Sequence, residues 1–174
     1  MTKLKRKARA LPVAALCLLV LGGAAAFAQR QLRTSVTGRP EVKVILSGSV
    51  ERAHESVVLD KASVVNPGEI LDWTITSHND GTAPAHEYRA VGQIPQGTQF
   101  IAGSATADGS ATVVYSIDDG KSFSAQPTIE EKQEDGSVKR VPAPVSMYTQ
   151  VRYEWADPLA EGGKLSASYK VRVK

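Results

Sequence analysis

Beyond residue 40, apolar and polar side chains alternate with a period of two residues. In the last strand, the apolar phase consists of Leu165, Ala167, Tyr169, Val171 and Val173. This period is that of a β-strand with one buried and one solvated face. Asp-Gly pairs, which favour the positive φ angles of tight hairpin turns, recur at 80–81, 108–109, 119–120 and 135–136. The pattern predicts an all-β chain with no ordinary helix after the N-terminal segment.

The spacing of these strands and turns predicts a sandwich of two antiparallel sheets. The clearest strands are centred on Trp73, Tyr115, Tyr153 and Tyr169, and weaker alternation places others over 42–46, 56–65, 86–91 and 99–104. Short strands with turns about every 8 to 12 residues are typical of an Ig-like β-sandwich of seven to nine strands. The strands over 151–155 and 165–173 are expected to be antiparallel neighbours. The absence of an internal repeat in the sequence argues against a propeller or a solenoid.

The first 28 residues have the layout of a signal peptide. The first ten residues contain five basic and no acidic side chains, residues 11–28 are uncharged, and Ala26-Phe27-Ala28 supplies a small-x-small cleavage pattern. The predicted organisation is a signal-peptide helix over 1–28, a flexible linker over 29–40 and the sandwich over 41–174. The alternative is that the signal segment is not cleaved and anchors the protein in the membrane, since about 18 apolar residues just span a bilayer. Contact with the membrane is expected only in that case. The protein is expected to be exported, to the periplasm, the cell surface or the extracellular space.

Charge and cysteine content restrict the partners and the source of stability. The whole chain has a net charge of +3, but the chain from Gln29 onward carries −2 because the basic N-terminus is removed. The electrostatic footprint of a nucleic-acid-binding protein is therefore missing. The single cysteine, Cys17, lies in the apolar run and follows Leu16, not the small residue of a lipoprotein signal. An exported fold without disulfides requires a genuine hydrophobic core.

The stretch Ser116–Phe123, SIDDGKSF, fits a pattern that recurs in sialidases and other glycan-processing propellers. A single copy in a chain of this length does not build a propeller. We therefore interpret it as a turn, in which Asp119-Gly120 occupy the two turn positions and Asp118 accepts backbone N–H bonds. Phe123 is expected to return an aromatic ring to the core.

No catalytic, cofactor-binding or metal-binding residues are predicted. The three histidines, His54, His78 and His86, lack a third ligand at metal-binding spacing. Calcium is an alternative at the loop aspartates, but their spacing is not that of an EF-hand, and turn chemistry explains each of them; they are Asp80, Asp108, Asp118 and Asp119. The sequence contains neither a nucleophile elbow nor a Gly-rich phosphate loop. The chain is predicted not to be an enzyme.

Residues 126–147 interrupt the alternation with a cluster of charges around Asp135-Gly136 and with prolines after it. This composition predicts a charged, protruding hairpin or loop. Two roles stay open for it: a solvated decoration, or a projection that binds a partner.

A 40-residue stretch, Val65 to Ser104, resembles the bacterial and archaeal conserved-repeat surface domain known as domain of unknown function eleven. The shared motifs are Pro67-Gly68-Glu69, Trp73 within its strand, Asn79-Asp80-Gly81, and Ile94-Pro95-Gln96-Gly97. The resemblance implies an Ig-like fold and an exported surface or envelope module, with no catalytic residues to transfer.

The predicted function is therefore that of an exported, non-catalytic Ig-like module. It would act in the cell envelope or at the cell surface through contacts with envelope or surface proteins. The alternative is a carbohydrate-binding module in which Tyr88 and Tyr148 present exposed rings to a glycan. The sandwich fold by itself does not decide between these functions.

Overall fold

The computed structural model describes residues 38–52, 55–60 and 64–174. Gly38–Lys174 form one compact unit. The predicted signal peptide, most of the predicted linker and His54 lie outside the described residues. Eleven strands and one 3₁₀ turn, Val145–Met147, are found in the described part: β1 (Val42–Arg52), β2 (Glu55–Leu59), β3 (Ile70–Asn79), β4 (Arg89–Gln93), β5 (Thr98–Phe100), β6 (Thr106–Ala107), β7 (Ala111–Ser116), β8 (Thr128–Lys132), β9 (Val138–Pro142), β10 (Gln150–Trp155) and β11 (Lys164–Val173).

Two antiparallel sheets pack face to face and confirm the predicted β-sandwich. Among the described residues, the larger sheet has the strand order β2-β1-β3-β11-β5, with β6 also paired to β11. The smaller sheet has the order β4-β10-β7. In the described part of the chain, β8 and β9 pair only with each other, as a separate hairpin.

The core lies between the sheets and is formed by the apolar phase of the central strands. On the larger sheet, Leu71 and Tyr169 are buried, and on the smaller sheet Tyr153 and Trp155 are buried, as their alternation predicts. The phenol of Tyr153 donates a hydrogen bond to the Ser168 carbonyl across the core at 2.6 Å. Burial raises the pKa of both Tyr153 and Tyr169, so each phenol stays neutral and keeps its proton as a donor.

The predicted pairing of the last two strands is wrong. β10 belongs to the smaller sheet between β4 and β7, whereas β11 lies in the larger sheet beside β3. The connection between them crosses from one sheet to the other, and Leu159 within it is buried and bridges to Ala85. Alternation shows that a strand has one buried face but does not show which sheet the strand belongs to.

Several strand boundaries also differ from the prediction. β4 begins at Arg89 and not near residue 86, because the chain turns before it: Ala85 bridges to Leu159, and Glu87 has a positive φ of 50°. β2 ends at Leu59, well before residue 65. β1 is longer than predicted and continues to Arg52.

Asn79, in the motif of the resemblance, connects three segments at one end of the larger sheet. Its side chain is fully buried. The amide nitrogen donates to the carbonyls of Ala83, Leu159 and Ala160 at 2.8 to 3.2 Å. The amide oxygen accepts bonds from the backbone N–H groups of Glu41 and Gly81, both at 3.1 Å. One asparagine therefore fixes the chain before β1, the turn after β3 and the β10–β11 connection.

Candidate protein-binding site

The SIDDGKSF stretch is a turn, as predicted. Asp119 and Gly120 have positive φ angles of 58° and 86°. Asp118 accepts bonds from the Ser122 backbone N–H at 2.9 Å and from the Ser122 hydroxyl at 2.6 Å. These bonds, the hydroxyl bond first, lower the pKa of Asp118 to about 2. The carboxylate is thus committed to holding its own loop.

The prediction for Phe123 is wrong, because its ring does not join the core. Phe123 is half-buried, and the guanidinium carbon of Arg152 lies 3.9 Å from its ring centre. Arg152 alternates with the buried Val151 and Tyr153 along β10, so it faces away from the core. Phe123 therefore packs on the outer face of the smaller sheet as a cation–π partner.

The histidines and loop aspartates are not brought together. His78 Nδ1 contacts Asp80 Oδ1, and Asp80 also pairs with Lys43. The Lys43 ammonium, first, and His78, second, lower the pKa of Asp80. Asp108 instead accepts the Ser166 N–H in another turn. Within 38–52, 55–60 and 64–174, no three His, Cys, Asp or Glu side chains are placed to hold a metal ion.

The charged segment 126–147 forms the β8–β9 hairpin. Its turn is closed by a bond from the Gln133 N–H to the Ser137 carbonyl at 2.8 Å and by Gly136 with φ 83°. Its base is narrow, since the Ala143 N–H donates to the Pro127 carbonyl at 2.8 Å. The hairpin projects from the sandwich as predicted and makes no ladder with its sheets in the described residues.

Inward-facing side chains at one side of the sandwich are left uncovered. Val44 and Leu46 are paired with Ser77 and Ile75, which are both buried, so all four side chains lie on the inner face of the larger sheet. Nevertheless Val44 is 57% exposed and Leu46 is 54% exposed. β1 and β2 carry further large exposed apolar side chains: Val57 on the same inner face, and Ile45 and Val58 on the outer face.

Val44 and Leu46 are uncovered because β4, at the edge of the smaller sheet, lies over β3 and β11. The phenol of Tyr88, just before β4, donates to Ser77 Oγ on β3 at 2.7 Å. A Cβ added to Gly92 of β4 would lie 2.3 Å from the ring of Tyr169 on β11. In the described residues, the smaller sheet therefore has no strand that lies over the first half of β1.

The edge of β4 that faces this uncovered area carries unpaired backbone groups. The carbonyl of Tyr88 accepts the Trp155 N–H at the end of the β4–β10 ladder. In an antiparallel ladder, successive residues point their backbone groups to opposite sides. Arg89 and Val91 therefore direct N–H and C=O away from β10, toward a strand position that the described residues leave empty. We call the space bounded by this edge, Val44 and Leu46 the open slot.

Trp73 forms the inner side of the open slot. Its side chain is half-buried and packs against the core. Its six-membered ring lies over Gly48 of β1, where an added Cβ would be 2.8 Å from Cζ3. Because Gly48 has no side chain, the indole of Trp73 packs directly on the backbone of β1. The slot is therefore lined by a fixed aromatic surface.

One basic side chain lies at the edge of the open slot. Arg89 is exposed on β4 and lies opposite Glu154 in the β4–β10 ladder. Glu154 is paired with Arg152, so the two arginines and one glutamate leave a net positive charge at the edge where a new strand would pair. Lys43, by contrast, lies on the outer face of β1, where it pairs with Asp80.

The open slot is not evident from the sequence. The weak alternation of residues 42–46 correctly predicts a strand there, but it gives no sign that the inner face of this strand lacks a cover. The weak alternation around β4, with small Ala90 and Gly92 on its inner phase, was the available signal for a short edge strand.

Comparisons with known proteins add no relative. No protein-family model, no curated protein and no solved structure matches this chain. In the part of the chain that the structure describes, no helix is long and apolar enough to cross a membrane.

Proposed function

We propose that this protein is an exported, non-catalytic Ig-like module that binds a protein of the cell envelope or cell surface. The observation that carries the proposal is the open slot: an otherwise well-packed sandwich leaves Val44 and Leu46 of its inner face exposed beside bare strand edges. Apolar surface of this kind, bordered by polar groups, is typical of protein interaction sites. Unpaired strand edges are likewise typical places for pairing with another chain.

Export is supported by the sequence of the N-terminal segment. Basic residues, an uncharged apolar run and Ala26-Phe27-Ala28 follow one another in the order of a signal peptide. The resemblance of residues 65–104 to the conserved-repeat surface domain supports the same compartment. The periplasm, the cell surface and the extracellular space are all consistent with these features.

The carbohydrate-binding alternative gains no support from the aromatic side chains. Tyr88 stacks on Trp155 with ring centres 5.6 Å apart. Tyr148 packs against Tyr115 and Phe100, at 4.8 and 5.9 Å between ring centres. Every Phe, Tyr and Trp side chain of the described residues is buried or half-buried, so these rings form part of the packing instead of a stacking platform for sugars.

The proposal is tested by following the full chain, with a C-terminal tag, in a bacterial host with a general secretion pathway. We expect a processed form whose mass gives Gln29 as the first residue, recovered outside the cytoplasm. In-cell cross-linking should then join the wild-type protein to an envelope protein, and Leu46→Lys should reduce this cross-link.

The matched control is Val138→Lys on the β8–β9 hairpin, where the valine is 63% exposed and remote in sequence from the slot. It should leave the cross-link intact. Recovery of an unprocessed precursor in the cytoplasm would contradict export. A set of cross-linked proteins identical to that of an unrelated tagged protein would contradict the binding function.

A further inference from the structure

We propose that the open slot receives an extended acidic peptide segment of the partner protein, which pairs with the free edge of β4 and becomes a fourth strand of the smaller sheet. This inference rests on the proposed function and specifies its binding mode. The added strand would lie over Val44 and Leu46 and bury them, as the existing strands of the smaller sheet bury the rest of the inner face.

The position of the uncovered side chains decides which sheet is extended. Adding a strand to β1 would lengthen the larger sheet but would leave the inner faces of Val44 and Leu46 exposed. Adding a strand to β4 places it in the second layer, about 5 Å beside β4 and about 10 Å above the larger sheet. Only that position satisfies the backbone groups of Arg89 and Val91 and covers the exposed apolar side chains together.

The β4 strand of a second copy does not fit into the slot. In each molecule, the inner face of β4 is already packed on the larger sheet, with Gly92 against Tyr169. A second β4 placed beside the first would bring its own β3 into the space that β1 occupies. The occupant is therefore a strand without a covering layer of its own, such as an extended peptide. β4 has five residues, so the paired segment is about 17 Å long.

Charge favours an acidic peptide over the chain's own leading segment. Residues 29–37 contain Arg30 and Arg33, no acidic residue, and only Leu32 and Val36 as large apolar residues. Arg89 would lie beside the incoming strand and is itself basic. A peptide that alternates apolar residues toward Val44 and Leu46 with an acidic residue opposite Arg89 matches both the surface and the charge.

The experiment is a selection of random 12-residue peptides on residues 29–174, which contain the whole compact unit. We expect the enriched peptides to alternate apolar residues with positions that are rich in Asp and Glu. The strongest peptide is then synthesised and its affinity is measured by fluorescence polarisation. Hydrogen exchange at the Arg89 and Val91 amides should slow when it binds, because both N–H groups become paired.

Val91→Pro is the decisive variant. It removes one N–H from the free edge of β4, where proline is tolerated because the group is not bonded in the fold. We expect the affinity to fall about tenfold. The matched control is Val58→Pro on the outer edge of β2, which also removes an edge N–H, at a strand away from the slot. It should leave the affinity within about twofold. If Val91→Pro does not fold, Leu46→Lys tests the slot instead, because it replaces an apolar side chain that the peptide would cover and should also weaken binding.

A charge exchange tests the acidic character of the peptide. Arg89→Glu should weaken the acidic peptide, and replacing its acidic residue opposite position 89 by lysine should restore binding. Peptides that bind Val91→Pro and Leu46→Lys as tightly as the wild type would overturn this inference and leave the proposed function standing. A selection that yields no binder, or binding that emerges only after deletion of residues 29–37, would overturn it as well. The cross-linking experiment judges the proposed function separately.

Discussion

A single buried amide holds together one end of the larger sheet. Asn79 uses both amide hydrogens and its oxygen on five backbone groups from three segments of the chain. These groups are at least partly buried, so each would be costly to leave unpaired. Asn79 is thus a structural residue that holds the start of β1 against the end of β3.

Asn79→Ala is expected to lower the free energy of unfolding by about 2 to 4 kcal/mol, because it leaves several buried backbone groups without partners. Asn79→Asp should be at least as destabilising at neutral pH, since a carboxylate would face three carbonyl oxygens. Chemical denaturation measures both. Gln96→Ala, at an exposed position, serves as the control and should change the free energy by about 0.5 kcal/mol or less. Equal effects of Asn79→Ala and Gln96→Ala would contradict the role of Asn79.

The ion pair between Arg52 and Glu69 anchors the turn that precedes β3. Arg52 bonds both oxygens of Glu69, at 2.8 and 2.9 Å, and the Asn66 N–H also donates to this carboxylate. The guanidinium, first, and the Asn66 backbone lower the pKa of Glu69 from 4.5 to about 2. A carboxyl group with a pKa lowered in the folded state stabilises the fold most above its unfolded pKa.

Glu69→Gln should therefore show a pH-dependent effect. The stability difference between wild type and Glu69→Gln is expected to be constant from neutral pH to about pH 5 and to shrink as the pH falls through 4.5 toward 2. Thermal unfolding across this range measures it. Glu130→Gln is the control, because Glu130 lies 3.8 Å from Arg140 on an exposed surface and exposed pairs contribute little. A difference that grows toward acid pH would contradict the interpretation.

At the scale of secondary-structure elements, the β8–β9 hairpin is an independent unit. Within the residues that the structure describes, its strands pair only with each other, and its base is closed by a bond from the Ala143 N–H to the Pro127 carbonyl. The two ends of the hairpin are therefore adjacent, and the sandwich continues on both sides of it. A segment attached in this way contributes little to the packing of the sheets.

Replacement of residues 128–142 by Asn-Gly is expected to change the free energy of unfolding by no more than about 1 kcal/mol, because no sheet of the sandwich loses a strand. Peptide binding at the open slot should also be retained. Thermal unfolding and fluorescence polarisation measure the two properties. Retained stability with lost binding would assign the partner contact to the hairpin and would contradict the slot.

The elements also show what alternation predicts and what it leaves out. It located the strands around Trp73, Tyr153 and Tyr169 because side-chain period is a local property of the chain. It misplaced the partner of β10, because pairing depends on where the 156–163 connection leads. It predicted a strand over 42–46 but not the exposure of Val44 and Leu46, because that exposure results from the number of strands in the opposite sheet. The turn at Asp119-Gly120 was predictable, since its chemistry is local, whereas the packing of Phe123 under Arg152 was not.

On the scale of the whole molecule, exposed apolar side chains lie on both faces of β1 and β2. Val44 and Leu46 face the open slot, whereas Ile45 and Val58 lie on the opposite, outer face and are 65% and 73% exposed. The chain from Gln29 has a net charge of only −2, so charge repulsion between molecules is weak. The outer face is therefore expected to cause reversible self-association at high concentration.

Ile45→Glu combined with Val58→Glu should separate this association from partner binding. The two glutamates put charge on an exposed face and bring the net charge of the chain from Gln29 to −4, which strengthens repulsion between molecules, and the sedimentation coefficient should become independent of protein concentration. Stability should change by about 1 kcal/mol or less, because both positions are largely exposed. The affinity for the selected peptide should stay the same, since the slot lies on the other face. If the variant still associates, the outer face does not cause the association. If the variant no longer binds the peptide, the peptide binds on the outer face and not in the open slot, because the substitutions leave the slot unchanged.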